Sequence, residues 1–452
     1  MRIETDLEDS DGRVVSNSAG NPASYWLKSD STHSDEVAAA VNGKLHPVVF
    51  IPGDGGNQLE AKLNKSDVVH YICQKTTTDY FNIWLNMELL VPLVIDCWID
   101  NIKLTYDNVT RTTRNPPGVD IRVPGFGTSE TVEWIDPSHA VTGSYFKDIA
   151  NTLVSMGYTR NVSIRGAPYD FRRGPNENQD YFVQLKKLIE DTYEANNQTS
   201  VMLIVHSMGG PMSLFFLNQQ AQSWKDKYIK RLVALSGAWG GSVKAIKVYA
   251  MGDDLGSYVL RPSVMRPQQI SQPSTAWLLP SPLFWKPDEV LVVTDKKNYS
   301  LANLQQFFQG ISFPDGWEMR KDIEPYQQHF KPPGVEVHCL LQYKPGTWLD
   351  GTPSLIYGDG DGTVNIRSLE GCKHWQPLQK PKVFCQPFPN TDHMGILRSN
   401  QSQEYIAGLI RADEPAFKYA RNEQDQKLWL GKFAHRRKES ENRADEKLRH
   451  SV

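Results

Sequence analysis

Between residues 145 and 241 the apolar pattern switches repeatedly between two periods. YFKDIANTLVSMGY (145–158) has helical spacing, and NVSIRGAPYDFRR (161–173) begins as a strand and ends as a loop. YFVQLKKLIEDTYEANN (181–197) is an amphipathic helix, SVMLIV (200–205) a strand and PMSLFFLNQQ (211–220) a helix. RLVALSGAW (231–239) is a further strand, closed by Gly240-Gly241. Strands alternating with helices make parallel neighbours, because each helix carries the chain back across the sheet. The expected class is α/β, specifically an α/β-hydrolase with a mostly parallel central sheet. Further strand patterns are HPVVFI (46–51), stopped by PGDGG, and then EVHCLLQY (336–343), SLIYG (354–358) and KVFCQPF (382–388).

Other segments interrupt the rhythm. Residues 1–43 lack apolar periodicity and are expected to be a polar, disordered extension. The opening MRIETDLEDSDGR is acidic and has no apolar run, so no secretory signal can be read in it, and the start shown need not be the native one. Residues 80–99, YFNIWLNMELLVPLVIDCWI, are the most apolar stretch. Pro92, Asp96 and Asp100 argue against a membrane span there and favour a short amphipathic segment, in the core or on a bilayer surface. Residues 252–289 mix Gly, Pro and Trp over a length that fits an active-site flap or cap. The charged stretch 417–452 interleaves basic and acidic residues, as a solvated tail does.

With a formal net charge of −3 over 452 residues the chain is no polycation, and no nucleic-acid partner is expected. Six N-x-S/T sequons, at Asn64, Asn108, Asn161, Asn197, Asn298 and Asn400, favour a secretory route. Five cysteines leave one unpaired if two bridges form, and reduced thiols throughout are equally allowed. A bridge between Cys73 and Cys97 would stabilise by about 3 kcal/mol through restriction of the unfolded chain.

Chemistry concentrates around Ser207. It sits in Val205-His206-Ser207-Met208-Gly209, between a strand and a helix pattern, where a nucleophile elbow of the form G-x-S-x-G would place it. The second small position is kept, and Val205 occupies the first. In α/β-hydrolases the acid and then the histidine follow the serine along the chain. Asp361 lies in a Gly-rich loop past SLIYG, with Asp359 in reserve, and His393 lies past KVFCQPF. His206 and His374 are in the wrong places to act as the base. An oxyanion hole needs two backbone N–H groups, for which Met208 and Asp54 in the PGDGGNQ loop are the candidates.

IPGDGGNQLEAKL, YFNIWLNMEL, DCWIDNI, Arg122-Val123-Pro124-Gly125-Phe126-Gly127, RGAPYDFRR, HSMGG, WKDKYI, Trp239-Gly240-Gly241 and GDGDGTVN together resemble the lecithin:cholesterol acyltransferase family. The likeness runs from about residue 46 to about residue 412, and is closer to the lysosomal phospholipase A branch (group XV, acylceramide synthase). The resemblance implies Ser207, Asp361 and His393 as the triad, with oxyanion amides at Asp54 and Met208. It pairs Cys73 with Cys97 and Cys339 with Cys372, leaving Cys385 free. It makes residues 74–112 a membrane-binding insertion with Trp84 and Leu85 facing lipid, and 252–276 a lid, all within a catalytic domain spanning 44–416. It places Lys244 near the lipid headgroup.

The function so implied is serine-dependent phospholipase A and O-acyltransferase activity. A fatty acyl chain moves from a glycerophospholipid in a membrane to water or to a lipophilic alcohol such as ceramide. No metal or cofactor is expected. The implied setting is a monomer in the lysosome or outside the cell, active at acid pH. The alternatives are a secreted phosphatidylcholine-sterol acyltransferase and an inactive lipid-binding homologue. Differences from the family pattern are Val205, Gly55 where the family has Leu, Gly237-Ala238 before Trp239, and a shorter stretch between Cys339 and Gly358.

Overall fold

The computed structural model describes residues 45–256, 260–327, 330–343 and 359–413. The expected extension at 1–43, the tail at 417–452 and the SLIYG strand lie outside the described residues. Six strands form the central sheet: β1 (Val48–Ile51), β2 (Ile164–Gly166), β3 (Val201–His206), β4 (Ile229–Leu235), β5 (Val337–Tyr343) and β6 (Val383–Pro389). Their spatial order is β6-β5-β4-β3-β1-β2, and every pairing is parallel. This is the α/β-hydrolase arrangement the alternation predicts.

The apolar runs are solid because the middle strands are covered on both faces. All four residues of β1 and Val201 through Val205 of β3 are completely buried. Burying each such aliphatic side chain stabilises by about 1.5–3 kcal/mol. Helices Gln179–Ala195 and Gly209–Asn218 pack against β3. The first does so with Phe182, Leu185 and Ile189 among its buried residues. Val205 fits the elbow without the small residue usual there. It is completely buried, with Ile51 of β1 and Ala234 of β4 as its partners on either side in the sheet.

After β1 the chain builds the edge strand β2, and then returns to lay β3 on the other side of β1. The sheet therefore changes winding direction between β1 and β3, and the crevice beyond their carboxyl ends is where such folds place ligands. The PGDGG loop leaves β1 there, and Ser207 leaves β3 there.

Two excursions frame that crevice. In the first, Leu59–Leu63 pairs antiparallel with Phe81–Trp84 and with Val119–Arg122. The helix Ile95–Ile102 follows, tied back by the Cys73–Cys97 disulfide. The apolar 80–99 stretch is thus a strand, a 3-10 turn (Met87–Leu90) and the start of a helix. Among the described residues no helix is long and apolar enough to cross a membrane. The second excursion holds helices Pro262–Ile270 and Pro273–Trp277, each with proline in its first turn. Pro262–Ile270 packs on Ile95–Ile102 and on the helix Val243–Met251, so the described part of the 252–276 segment joins the two excursions. Cys339–Cys372 is the second disulfide and Cys385 is free. All six sequon asparagines are exposed.

Candidate active site

Ser207 has φ +53°, in the left-handed region that a non-glycine residue adopts only when its surroundings impose it. The imposing contacts are backbone hydrogen bonds. Ser207 N–H donates to Leu235 O at 3.0 Å, and Ser207 O accepts from Gly210 N–H at 3.0 Å and Ala238 N–H at 3.2 Å. Glycine is required on both sides of this turn. A Cβ on Gly209 would lie 2.5 Å from Ile51 O, and one on Gly53 would lie 2.7 Å from Ser207 Cβ. The PGDGG loop is thereby pressed against the nucleophile candidate, which brings the Asp54 and Met208 amides to the same end of the sheet.

His393 comes from the loop after β6 and Asp361 from the loop ahead of the short helix Ile366–Leu369. His393 Nε2 is 2.8 Å from Ser207 Oγ, and its Nδ1 is 2.6 Å from Asp361 Oδ2. The His393 N–H also donates to Asp361 O at 3.0 Å. Asp361 is completely buried. Its Oδ1 accepts from the Thr363 N–H at 3.0 Å and the Val364 N–H at 2.7 Å. Burial opposes its charge, but His393 and these two amides outweigh burial and hold its pKa below the usual carboxylate range. Asp359 is exposed and offers its backbone carbonyl to Ile366 N–H. His374 is exposed.

Sequence reasoning set His206 aside, and as a base it stays aside, yet it is part of the scaffold. Its Nε2 is 3.0 Å from His393 O, its Nδ1 bonds the Tyr145 hydroxyl, and that hydroxyl is 3.1 Å from Gly53 N. Donor arithmetic fixes the direction. The His393 carbonyl only accepts, so His206 carries its proton on Nε2. Its Nδ1 then accepts from Tyr145 O–H, whose oxygen accepts the Gly53 N–H. A one-way relay therefore ties the oxyanion-side loop to the backbone of the candidate base. Burial, assisted by the His393 charge, lowers the His206 pKa to about 3, so the ring stays neutral and the relay keeps its direction. The only sequence signal was the position of His206 beside Ser207; Tyr145 gave none. The RGAPYDFRR motif braces the same loop, with Tyr169 O–H donating to Pro52 O at 3.0 Å. Arg172, completely buried, donates to Ile102 O at the end of the insertion's helix at 2.9 Å.

Asp54 is exposed at the carboxyl end of β1, but the surrounding protein partly desolvates its carboxyl. That low-dielectric surround pushes its pKa up to about 7, against the opposing pull of the Gly55 N–H and the Lys244 charge. Lys244, on Val243–Met251, has its Nζ 3.3 Å from Asp253 Oδ1. The expectation that Trp84 and Leu85 face lipid is not met. Leu85 is buried, and Trp84 is half-buried against Trp98 and Phe171, with its indole N–H on Gly55 O. The exposed large apolar side chains of the 74–112 insertion are Met87, Val91 and Leu93, on the turn that follows, and Val109 further along. A cavity of about 620 Å³ beside Gly209–Asn218 is lined by Leu214, Trp239 and Phe330 but by none of Ser207, Asp361 or His393, so the chemistry is not placed there. Among the described residues no cluster of side chains could hold a metal ion.

A family model described as lecithin:cholesterol acyltransferase matches residues 80–405. The chain is 47% identical over 376 residues to a human lysosomal phospholipase A and acyltransferase, covering 81% of this chain and 91% of that protein. The rat protein described in the same words is 47% identical over 377 residues, covering 82% and 91%. A chicken phosphatidylcholine-sterol acyltransferase is 42% identical over 364 residues, covering 78% and 87%.

Proposed function

This chain belongs to the lecithin:cholesterol acyltransferase family, and from that premise we propose how its geometry moves an acyl chain. It is a lipase-type phospholipase A and O-acyltransferase. The observation that carries the mechanism is the Ser207–His393–Asp361 hydrogen-bond line on a strained elbow. Ser207 Oγ attacks the ester carbonyl of a glycerophospholipid while His393 Nε2 takes its proton. Asp361 holds the other ring proton on Nδ1, which keeps Nε2 free to accept. The carbonyl oxygen, now negative, rests on the Met208 and Asp54 amides. Collapse of the tetrahedral species expels the lysolipid oxygen, protonated by His393. Water or a lipophilic alcohol, ceramide in the reading closest to the lysosomal relatives, then takes the acyl group by the same steps in reverse.

Product analysis tests the acceptor. Vesicles of phosphatidylcholine carrying ceramide and cholesterol in equal amounts are expected to yield lysolipid, free fatty acid and acylceramide. Cholesteryl ester as the main product would instead favour the sterol-esterifying branch.

The two carboxyls of the site are pushed apart in pKa, Asp54 up to about 7 and Asp361 below the ordinary range. At acid pH Asp54 is neutral beside the developing oxyanion, while Asp361 stays charged opposite His393. As pH rises through about 7, Asp54 ionises and repels the oxyanion, so kcat/KM falls. The Asp54→Asn variant is expected to lose that alkaline limb. A pH–rate profile identical to wild type would remove Asp54 from the account.

Substrate has to leave a bilayer. The exposed Met87, Val91 and Leu93 make the 87–93 turn the docking element of this reading, with the 252–276 segment as its lid. Serine at Val91 and Leu93 is expected to weaken binding to phosphatidylcholine vesicles on the order of tenfold, given the transfer energy of two aliphatic side chains. Turnover of a soluble short-chain ester should not change; equal vesicle binding by wild type and variant would reject the turn as the anchor. Six exposed sequons and two disulfides favour an oxidising secretory compartment, and the lysosome is the destination proposed.

A further inference from the structure

We propose that Trp84 is a positioning residue for the oxyanion loop, through which the docking insertion holds that loop in its working shape. The indole Nε1–H donates to Gly55 O at 2.8 Å. Gly55 has φ +67°, and a Cβ there would lie 3.1 Å from Trp84 Cζ2, so glycine lets the indole lie close against the loop backbone. The Gly55 carbonyl is thus committed, and the residue whose amide is assigned to the oxyanion directly precedes it. A glycine at positive φ has little steric preference of its own, so a loop built on it needs such outside constraints to present one orientation.

The far side of Trp84 is equally well held. Its ring packs on Trp98 and Phe171, at centroid distances of 6.1 and 5.9 Å. Trp98 donates its own indole N–H to Ile83 O at 2.8 Å, and the Leu85 N–H donates to Ile135 O at 2.7 Å. Trp98 sits beside Cys97 on the helix that the Cys73 disulfide ties down. The strand carrying Trp84 also pairs with Leu59–Leu63, the continuation of the oxyanion loop itself, with Leu59 opposite Trp84. The exposed docking turn begins three residues further on, at Met87. Ordering of that turn on a bilayer is therefore passed to Gly55 through one side chain, and the residue that the family resemblance assigns to the lipid bonds the oxyanion loop.

The test separates a strut from an anchor. Trp84→Phe keeps a ring for packing and removes the N–H. Steady-state turnover of monomeric p-nitrophenyl butyrate and co-flotation with phosphatidylcholine vesicles are measured on the same preparations, with melting temperature as the folding control. Expected are a fall in kcat of about tenfold from loss of oxyanion alignment, a KM within about twofold of wild type, and unchanged co-flotation. Unchanged kcat, with or without loss of vesicle binding, would overturn the proposal.

Gly55→Ala supplies a second route, because its Cβ displaces the indole. If both changes act through one contact, the double variant loses no more kcat than the worse single variant. Multiplying effects would overturn the coupling even where a single variant is destabilised. The proposal rests on Ser207 as nucleophile. Absence of ester turnover in the wild-type protein is a failure of that assignment, whereas turnover that Trp84→Phe leaves intact is a failure of this one.

Discussion

Asp361→Asn will lower kcat on the order of 10⁴-fold while leaving the protein folded. The reason lies in the two oxygens of this carboxylate. Oδ1 is claimed by two backbone donors, Thr363 N–H and Val364 N–H, and only an acceptor can stand there. An asparagine must therefore place its carbonyl oxygen at that position and turn its NH₂ towards His393 Nδ1, 2.6 Å away in the native pair. Two donors cannot face each other, so His393 shifts its proton to Nε2. That proton then points at Ser207, and the ring can no longer accept one. The variant keeps its shape and loses its base. Substrate affinity should change little, because Asp361 is wholly buried behind His393. A kcat within tenfold of wild type would mean that Asp361 is not the orienting acid.

Ser207→Ala carries the other large effect, a loss of kcat of about 10⁴ to 10⁶-fold on both phospholipid and soluble ester. The substitution removes one oxygen at a residue 9% exposed and leaves its backbone contacts in place. Alanine at φ +53° bears the same strain that serine bears, so stability should stay close to wild type. Vesicle binding should persist, since the docking turn is remote in sequence and independent of the hydroxyl. A variant that binds vesicles and still turns over ester would place the nucleophile elsewhere. Loss of vesicle binding and turnover together would show that the elbow shapes the docking surface as well.

Much of this site is legible in the chain, for a physical reason. Val48–Ile51 of β1, Val201–Val205 of β3 and Leu232–Leu235 of β4 are buried on both faces, so these stretches are unbroken apolar runs. Catalytic groups on such a sheet follow the strand ends, which is why Ser207 and His393 stand out. Asp361 is harder to single out, because Asp359 shares the same Gly-rich loop. What separates them is the turn that buries one and aims two amides at it, a property of the folded backbone. Tyr145 is invisible for a related reason. Its hydroxyl links Gly53 to His206, and nothing local marks a tyrosine that will meet partners 92 and 61 residues away. The apolar stretch around Trp84 is recognisable, but its outward face is not. A strand, a 3-10 turn and a helix follow one another within it, so no single period predicts which side chains point to solvent.

The central claim is that Ser207 is an activated nucleophile. The most direct measurement is reaction of the intact protein with a fluorophosphonate probe, followed by peptide mapping. The account predicts one adduct per chain, on the peptide carrying Ser207, formed more slowly when phosphatidylcholine vesicles compete. An adduct on a different serine, or a folded preparation that hydrolyses ester and takes no label at Ser207, would contradict it.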